Sequence, residues 1–340
     1  MRQLKGFFKL IRVTNLLFIF IAQYLFRYFI LIPILDFYGL EARLLDIQFF
    51  LLSFSTVLIA AAGYVINDYF DVKIDEVNKP GRIIIDRSVR RRSAIALHSI
   101  FNFSGIIIAL LLGWKAGTLL LAGFHIISTI ILWFYSTHFK RQFIIGNVVV
   151  SFLTAMVIVI VPAFDYGATE LVMPDDPASK TIAGFTIMYA VFAFIISMIR
   201  EIVKDMEDVK GDADYDCKTI PVVLGLKPAK GIAMAFAVTL IIIMAIVQLA
   251  KLREGEALLV GYAMFFVQLP LVYVIAMLKK ADRAKDFSNI SGIIKAVMLT
   301  GIMSMILISI FDSPEEYFNR KNEEKNNTGI SVTQAPATAE

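Results

Sequence analysis

Long apolar stretches alternate along this chain with short segments rich in charge. A helix needs about 20 consecutive apolar residues to cross the hydrocarbon core of a bilayer. Nine such stretches lie between charged or turn-forming boundaries, at residues 15–35, 47–66, 93–113, 115–135, 144–164, 182–199, 230–250, 257–278 and 289–311. The pattern predicts an all-α, polytopic membrane protein with nine transmembrane helices. A secretory signal peptide is disfavoured for the first 35 residues, because their apolar stretch is long and no small-x-small cleavage site follows it. The last residues are polar and lack periodicity, so residues 1–312 are expected to form one membrane domain and 313–340 a disordered tail.

The basic residues give this pattern an orientation, since cytoplasmic loops are enriched in Lys and Arg. With the N-terminus inside, 23 of the 33 Lys and Arg fall in inside segments and 8 in outside ones, with Arg27 and Lys295 left within spans. The expectation is an N-terminus in the cytoplasm and a C-terminus outside.

Composition agrees. Apolar residues make up 58% of the chain and charged ones 18%, and 33 basic against 29 acidic side chains leave a net charge of +4. A balance this close to neutral points neither to nucleic acid nor to an acidic protein partner. Cys217 is the one cysteine, which excludes an intrachain disulfide framework, and His98, His125 and His138 lack partners at metal-ligand spacing. Cys217 and the histidines are read as structural, and Arg27 as a side chain that snorkels to the far interface.

Two acidic segments change the picture. After the second stretch come Asn67, Asp68, Asp71 and Asp75, and after the sixth come Asp205, Asp208 and Asp212. Both sets of carboxylates follow an i, i+3, i+7 spacing, and a uniform offset of 137 residues separates them. On a helix these positions share one face over two turns. Such acids can be solvated loop residues balancing nearby Lys and Arg. Two equal copies, each leaving a predicted helix on the same side, argue instead for two faces turned toward each other. Like charges at this spacing repel, so something positive belongs between them. Oxygen donors with the amide of Asn67 suit a hard cation such as Mg²⁺, which typically bridges a few carboxylates to substrate phosphates. The interleaved Lys73, Lys79, Arg82, Lys204, Lys210 and Lys218 would complete a cage for a diphosphate.

These residues resemble the UbiA superfamily of intramembrane prenyltransferases. Asn67-Asp68-x-x-Asp71-x-x-x-Asp75 is similar to that family's first motif, and Asp205-x-x-Asp208-x-x-x-Asp212 to its second. Smaller likenesses are Arg12-x-x-Asn15, Tyr135-Ser-x-x-Phe139-Lys140-Arg141 before Gly146-Asn147, and Thr219-Ile-Pro221-Val-x-x-Gly225. Within the family, Asn78-Lys79-Pro80 and Arg200-Glu201-Ile-Val-Lys204-Asp205 look most like the branch that makes digeranylgeranylglyceryl phosphate. The chain departs from the family after the first motif, where Arg82-Ile-Ile-Ile-Asp86 and Arg90-Arg91-Arg92 stand in place of an Arg-Pro pair.

The resemblance implies nine helices around a central cavity with the active site at its cytoplasmic mouth, in a multi-pass protein of a prokaryotic cytoplasmic membrane. It implies catalytic roles for Asp68, Asp71, Asp208 and Asp212, and Mg²⁺ held among Asn67, Asp68, Asp71, Asp75, Asp205, Asp208 and Asp212. Substrate binding would fall to Arg12, Asn15, Tyr64, Lys79, Arg82, Tyr135, Lys140, Arg141 and Lys204. The implied partners are an allylic prenyl diphosphate, a lipophilic acceptor and membrane lipid; no nucleic acid or protein partner is implied. The implied reaction transfers a prenyl group, geranylgeranyl by the branch likeness, to geranylgeranylglycerol phosphate. An aromatic quinone precursor is the alternative acceptor. A cation-coupled transporter is the non-enzymatic alternative, although carboxylates at one mouth differ from the midplane sites usual in transporters. A phospho-alcohol transferase is disfavoured because its DG-x-x-AR core is missing.

Overall fold

A computed structural model describes residues 2–311; the 313–340 tail lies outside the described residues, as does the side chain of Arg82. Among the described residues nine helices are long and apolar enough to cross a membrane. They are α1 (Val13–Phe37), α2 (Asp46–Asn78), α3 (Arg91–Lys115), α4 (Leu119–Thr137), α5 (Ile145–Val172), α6 (Pro177–Asp214), α7 (Leu226–Arg253), α8 (Ala257–Lys280) and α9 (Ala284–Ile310). A short helix, Arg2–Leu10, precedes them, and the five-residue helix Ile220–Leu224 joins α6 to α7.

Local chemistry sets several of these ends. Asp176 Oδ1 accepts the backbone N–H of Ser179 at 3.0 Å, Ser179 Oγ accepts that of Asp176 at 3.2 Å, and Pro177 takes the first helical position of α6. The helices α1, α5 and α8 each contain a π-helical turn, at Arg27–Leu31, Ala163–Gly167 and Met264–Gln268. Pro33, Pro162 and Pro270 lie within two residues of these turns, where a missing N–H and a crowding ring disturb the regular ladder.

The largest departure from the sequence pattern is the length of α2 and α6. At 33 and 38 residues, they extend about 50 and 57 Å, well beyond a hydrocarbon core of about 30 Å. The acidic segments are therefore not loops that follow spans ending at 66 and 199. They are the last turns of unbroken helices, which is why each acidic set shares a face.

Three buried clusters hold the bundle. The helix α6 packs against α2, α5, α7 and α9. Its Ile199 and Ile202 join Leu271, Phe287 and Ile290, while Ala229, Ala233 and Ala237 at four-residue spacing let α7 come close. At the end opposite the acidic residues, Phe26, Leu31, Phe49, Leu52 and Phe164 form the second cluster. The third, with Leu10, Val65, Ile85 and Ala94, fixes the Arg2–Leu10 helix and the connection after α2 onto α2 and α3. Outward faces are apolar: Phe103, Trp114, Leu120 and Leu249 are all at least 61% exposed, as a bilayer requires and water does not. The protein is an integral, multi-pass membrane protein.

Arg27 does not snorkel. It is 2% exposed, donates to Asp165 Oδ2 at 2.5 Å, to Asp46 Oδ1 at 2.7 Å and to the Leu44 carbonyl at 2.5 Å, and lies over the Phe49 ring at 4.6 Å. A buried carboxylate, Asp165, was available to meet it, and an ionised side chain in an apolar layer stays where it is paired.

Candidate active site

A cavity of about 800 Å³ opens among α1, α2, α4, α5, α6 and α9. Its inner part is apolar, with Leu132, Leu153, Met156, Phe192, Ile302 and Met305. Its other end carries both acidic faces: Asn67, Asp68, Asp71 and Asp75 from α2, and Asp205, Asp208 and Asp212 from α6. Six helices rather than all nine line it, since α3, α7 and α8 contribute none of its lining residues.

Each acidic face is met by basic or amide side chains from elsewhere in the chain. Lys140 is ion-paired with Asp71, and Lys79 Nζ lies 2.6 Å from Asp208 Oδ1. Asn147 Nδ2 donates to Asp205 Oδ2 at 2.7 Å and Thr219 Oγ1 to Asp212 Oδ2 at 3.3 Å. Lys79 follows the last residue of α2 and reaches the acids of α6, so one motif supplies the cation of the other. Asn78 Oδ1 also accepts the backbone N–H of Gly211 at 2.7 Å, tying the two motif-bearing ends together.

Arg12 enters from the junction between the Arg2–Leu10 helix and α1. Its backbone is left-handed, with φ 51° and ψ 54°, a conformation that costs a non-glycine residue roughly 1–2 kcal/mol. The turn lays the guanidinium over the Tyr64 ring at 4.9 Å and places it 2.8 Å from Asp68 Oδ1. Burial opposes the Arg12 charge, but Asp68 more than offsets this, and the guanidinium is held above its ordinary value. One turn further, Asn15 donates to Tyr64 OH at 3.3 Å and accepts from Lys295 Nζ at 3.0 Å.

Lys140 sits in the short 3₁₀ turn Phe139–Arg141. In such a turn successive side chains are about 120° apart. Lys140 therefore faces the cavity while Arg141, expected among the substrate-binding residues, is exposed and outside the lining; its backbone is engaged, the N–H donating to the His138 carbonyl at 3.1 Å and the carbonyl accepting from Lys218 N at 2.8 Å. Gly146 allows this turn to lie against α5: a Cβ there would come within 2.8 Å of Lys140 Cα. Tyr64, Lys79, Tyr135 and Lys204 line the cavity. Cys217 lines it too, and burial, with Asp212 adding, pushes its thiol up to about 11.

Sequence reasoning gave no role to Lys295, Arg200 or Glu201. Glu201 is buried and accepts from Arg200 at 2.8 Å and from Lys204 at 3.0 Å. The available signal was Lys295 itself, an ionisable residue inside a predicted span.

Among the described residues no group of three His, Cys, Asp or Glu side chains is arranged to hold one metal ion. Lysines occupy the space between the acids instead. The donor set still fits Mg²⁺, which is bound through one or two carboxylates plus water and substrate phosphate. Buried Asn67 Oδ1, beside Asp71, has no hydrogen-bond partner, as expected of an oxygen that awaits a cation or a bound water.

Comparisons with known proteins agree with this architecture. Residues 30–298 match the UbiA prenyltransferase family. The digeranylgeranylglyceryl phosphate synthase of Thermococcus gammatolerans is 30% identical over 271 residues, 79% of this chain and 87% of that protein. The enzyme of the same name from Methanothermobacter thermautotrophicus is 33% identical over 254 residues, covering 74% and 82%. In structure, a UbiA homologue from Aeropyrum pernix superposes with a TM-score of 0.60 at 17% identity, covering 91% of this chain and 99% of that one. A homologue from Archaeoglobus fulgidus bound to GPP and Mg²⁺ gives a TM-score of 0.51 at 15% identity, covering 88% and 99%. A nine-helix bundle, two facing acidic helix ends above an apolar cavity, and a sequence match over most of its length identify this chain as a member of the UbiA prenyltransferase family.

Proposed function

We propose that this prenyltransferase carries out the Mg²⁺-dependent transfer of a geranylgeranyl group from its allylic diphosphate to geranylgeranylglycerol phosphate, releasing diphosphate, at the cytoplasmic face of a prokaryotic membrane. The observation that carries the proposal is the continuity of the cavity: paired acid and lysine groups at one end pass directly into an apolar interior. A prenyl diphosphate has the same division of charge and hydrocarbon. The branch assignment rests on the identity to synthases of that name. The cytoplasmic placement rests on the Lys and Arg bias of the segments at the acidic end.

Asn67, Asp68, Asp71, Asp208 and Asp212 would hold Mg²⁺, which when bound would supply charge neutralisation for the departing diphosphate. Lys79 and Lys140, already at the acids, are placed to donate their ammonium hydrogens to the diphosphate oxygens. The bond between prenyl C1 and the diphosphate oxygen breaks with both electrons leaving on oxygen. The acceptor hydroxyl oxygen bonds to C1, and its proton passes to a carboxylate or diphosphate oxygen. Leu132, Met156, Phe192 and Met305 exclude water that would quench the allylic cation. One face of Tyr64 is covered by Arg12, so Tyr135 is the aromatic side chain more available for cation–π contact.

Purified protein in lipid, given geranylgeranyl diphosphate, Mg²⁺, geranylgeranylglycerol phosphate and 4-hydroxybenzoate together, tests this by mass spectrometry. A phosphorylated glyceryl diether with diphosphate is expected. A prenylated benzoate would overturn the acceptor, and no diphosphate release with any acceptor would overturn the reaction.

A further inference from the structure

A second charged group lies in the cavity, N-terminal to the acidic face on α6 and displaced from the lysines of the diphosphate end. Arg12, Arg200, Lys204 and Lys295 line this wall. The carboxylates bonded to them are Asp68, on Arg12, and Glu201, shared by Arg200 and Lys204. Lys295 Nζ is bonded to the neutral Asn15 Oδ1 and faces the charges of Arg200, Lys204 and Arg12, with Glu201 the carboxylate that opposes them. Asp205, the next acid along α6, is turned to Asn147. Four cations against the two carboxylates bonded to them and the neighbouring Asp205 leave an excess of one positive charge on a partly buried wall. Arg200 Nε is in addition buried without a hydrogen-bond partner.

Repelling cations kept inside an apolar bundle are costly without a counter-anion. A phosphate monoester suits such a wall: it is anionic at neutral pH, with about −1.5 to −2 charge, and offers three acceptor oxygens to these donors. The position adds a geometric argument. Glu201 precedes Asp208 by seven residues on α6, which is about 10 Å along the helix axis. An anion held there would stand apart from a diphosphate at the acidic end by about the length of a short polar headgroup.

We infer that Lys295 and Arg200, with Lys204 and Arg12, form the subsite for the phosphate of the acceptor and select a phosphorylated acceptor over a neutral one. The inference rests on the reaction proposed above and names the residues that fix its second substrate. Lys295 and Arg200 contact the acceptor phosphate rather than the reacting carbon. Their loss therefore falls on acceptor binding, whereas loss of Lys79 or Lys140 falls on the donor.

The test uses the full chain in detergent or lipid, with two readouts. Kinetically, Lys295→Met and Arg200→Gln are expected to raise the KM for geranylgeranylglycerol phosphate roughly tenfold or more, the usual effect of deleting a charge-assisted hydrogen bond. The donor KM should stay within about twofold, and Lys295→Arg should recover most of the loss, which a merely structural role for Lys295 would not predict. In binding, without donor and with EDTA present, geranylgeranylglycerol phosphate should raise the melting temperature of the wild-type protein, and neutral geranylgeranylglycerol should not. A rise in donor KM with acceptor KM unchanged would assign the wall to the diphosphate and overturn the inference. Equal stabilisation by the neutral lipid would also overturn it. If the wild-type protein makes no glyceryl diether, the reaction proposed above fails separately, and the binding comparison still decides whether this wall recognises a phosphate monoester.

Discussion

Asn78 Oδ1 accepts the Gly211 backbone N–H at 2.7 Å, and a Cβ on Gly211 would stand 2.5 Å from Asn78 Nδ2. Gly211 is therefore the point at which the ends of α2 and α6 touch, one residue before Asp212. Gly211→Ala must displace the Asn78 carboxamide and lose this hydrogen bond. A destabilisation of about 1–2 kcal/mol is expected, together with a larger loss of turnover, because Lys79 moves with Asn78. Denaturation in detergent and initial rates on one preparation check both; unchanged turnover with lowered stability would show that the contact does not set the acidic faces.

Removing the acids separates binding from chemistry. Asp71→Ala and Asp208→Ala should each lower kcat at least roughly a hundredfold, in line with loss of a group that stabilises developing charge. EDTA should abolish diphosphate release, and added Mg²⁺ should restore it. Lys79→Met should lower the Mg²⁺ concentration needed for half-maximal rate, since Lys79 competes for Asp208, while raising the donor KM. A Mg²⁺ requirement that rises in Lys79→Met would contradict this competition.

Arg27 and Asp165 predict a stability effect distant from the chemistry. Both are buried, at 2% and 0% exposure. Breaking such a pair from one side leaves an uncompensated buried charge, at a cost of about 3–5 kcal/mol. Arg27→Met should lower the unfolding midpoint strongly, and Arg27→Met with Asp165→Asn should recover part of the loss. Both variants should retain the wild-type donor KM at low temperature.

Cys217 offers a pH-dependent readout inside the cavity. With its thiol pushed up to about 11, it is protonated at neutral pH and the reactive thiolate is scarce. Maleimide labelling should be slow at pH 7 and rise about tenfold per pH unit toward 11, and bound prenyl diphosphate should slow it further. A plateau near pH 8.5 would mean that the thiol is not buried as described.

Much of this architecture was legible from residue spacing. The apolar lengths gave nine spans, and the i, i+3, i+7 acids pointed to one face of each of two helices. What the sequence could not supply was direction after a turn. Lys140 and Arg141 are adjacent and both cationic, and only the 3₁₀ geometry of Phe139–Arg141 separates inward from outward. Lys295 was visible as a charge in a span, but Asn15, to which it is bonded, is 280 residues away. Arg27 was visible likewise, yet its partner Asp165 lies 138 residues on, within a π-helical turn whose register no local pattern declares.

The unbroken run of α2 from Asp46 to Asn78, with no loop beneath its acids, makes the heading of Asp68, Asp71 and Asp75 a matter of residue count. One residue added anywhere between Ala61 and Ile66 would swing that face by about 100° and lift it by about 1.5 Å, carrying the carboxylates off the cavity. Four added residues would nearly restore the heading, at about 40° of error, but would raise the acids by about 6 Å relative to α6. Small changes in length are therefore confined to connections such as residues 39–45 and 254–256, and α2 and α6 can lengthen only together and by whole turns.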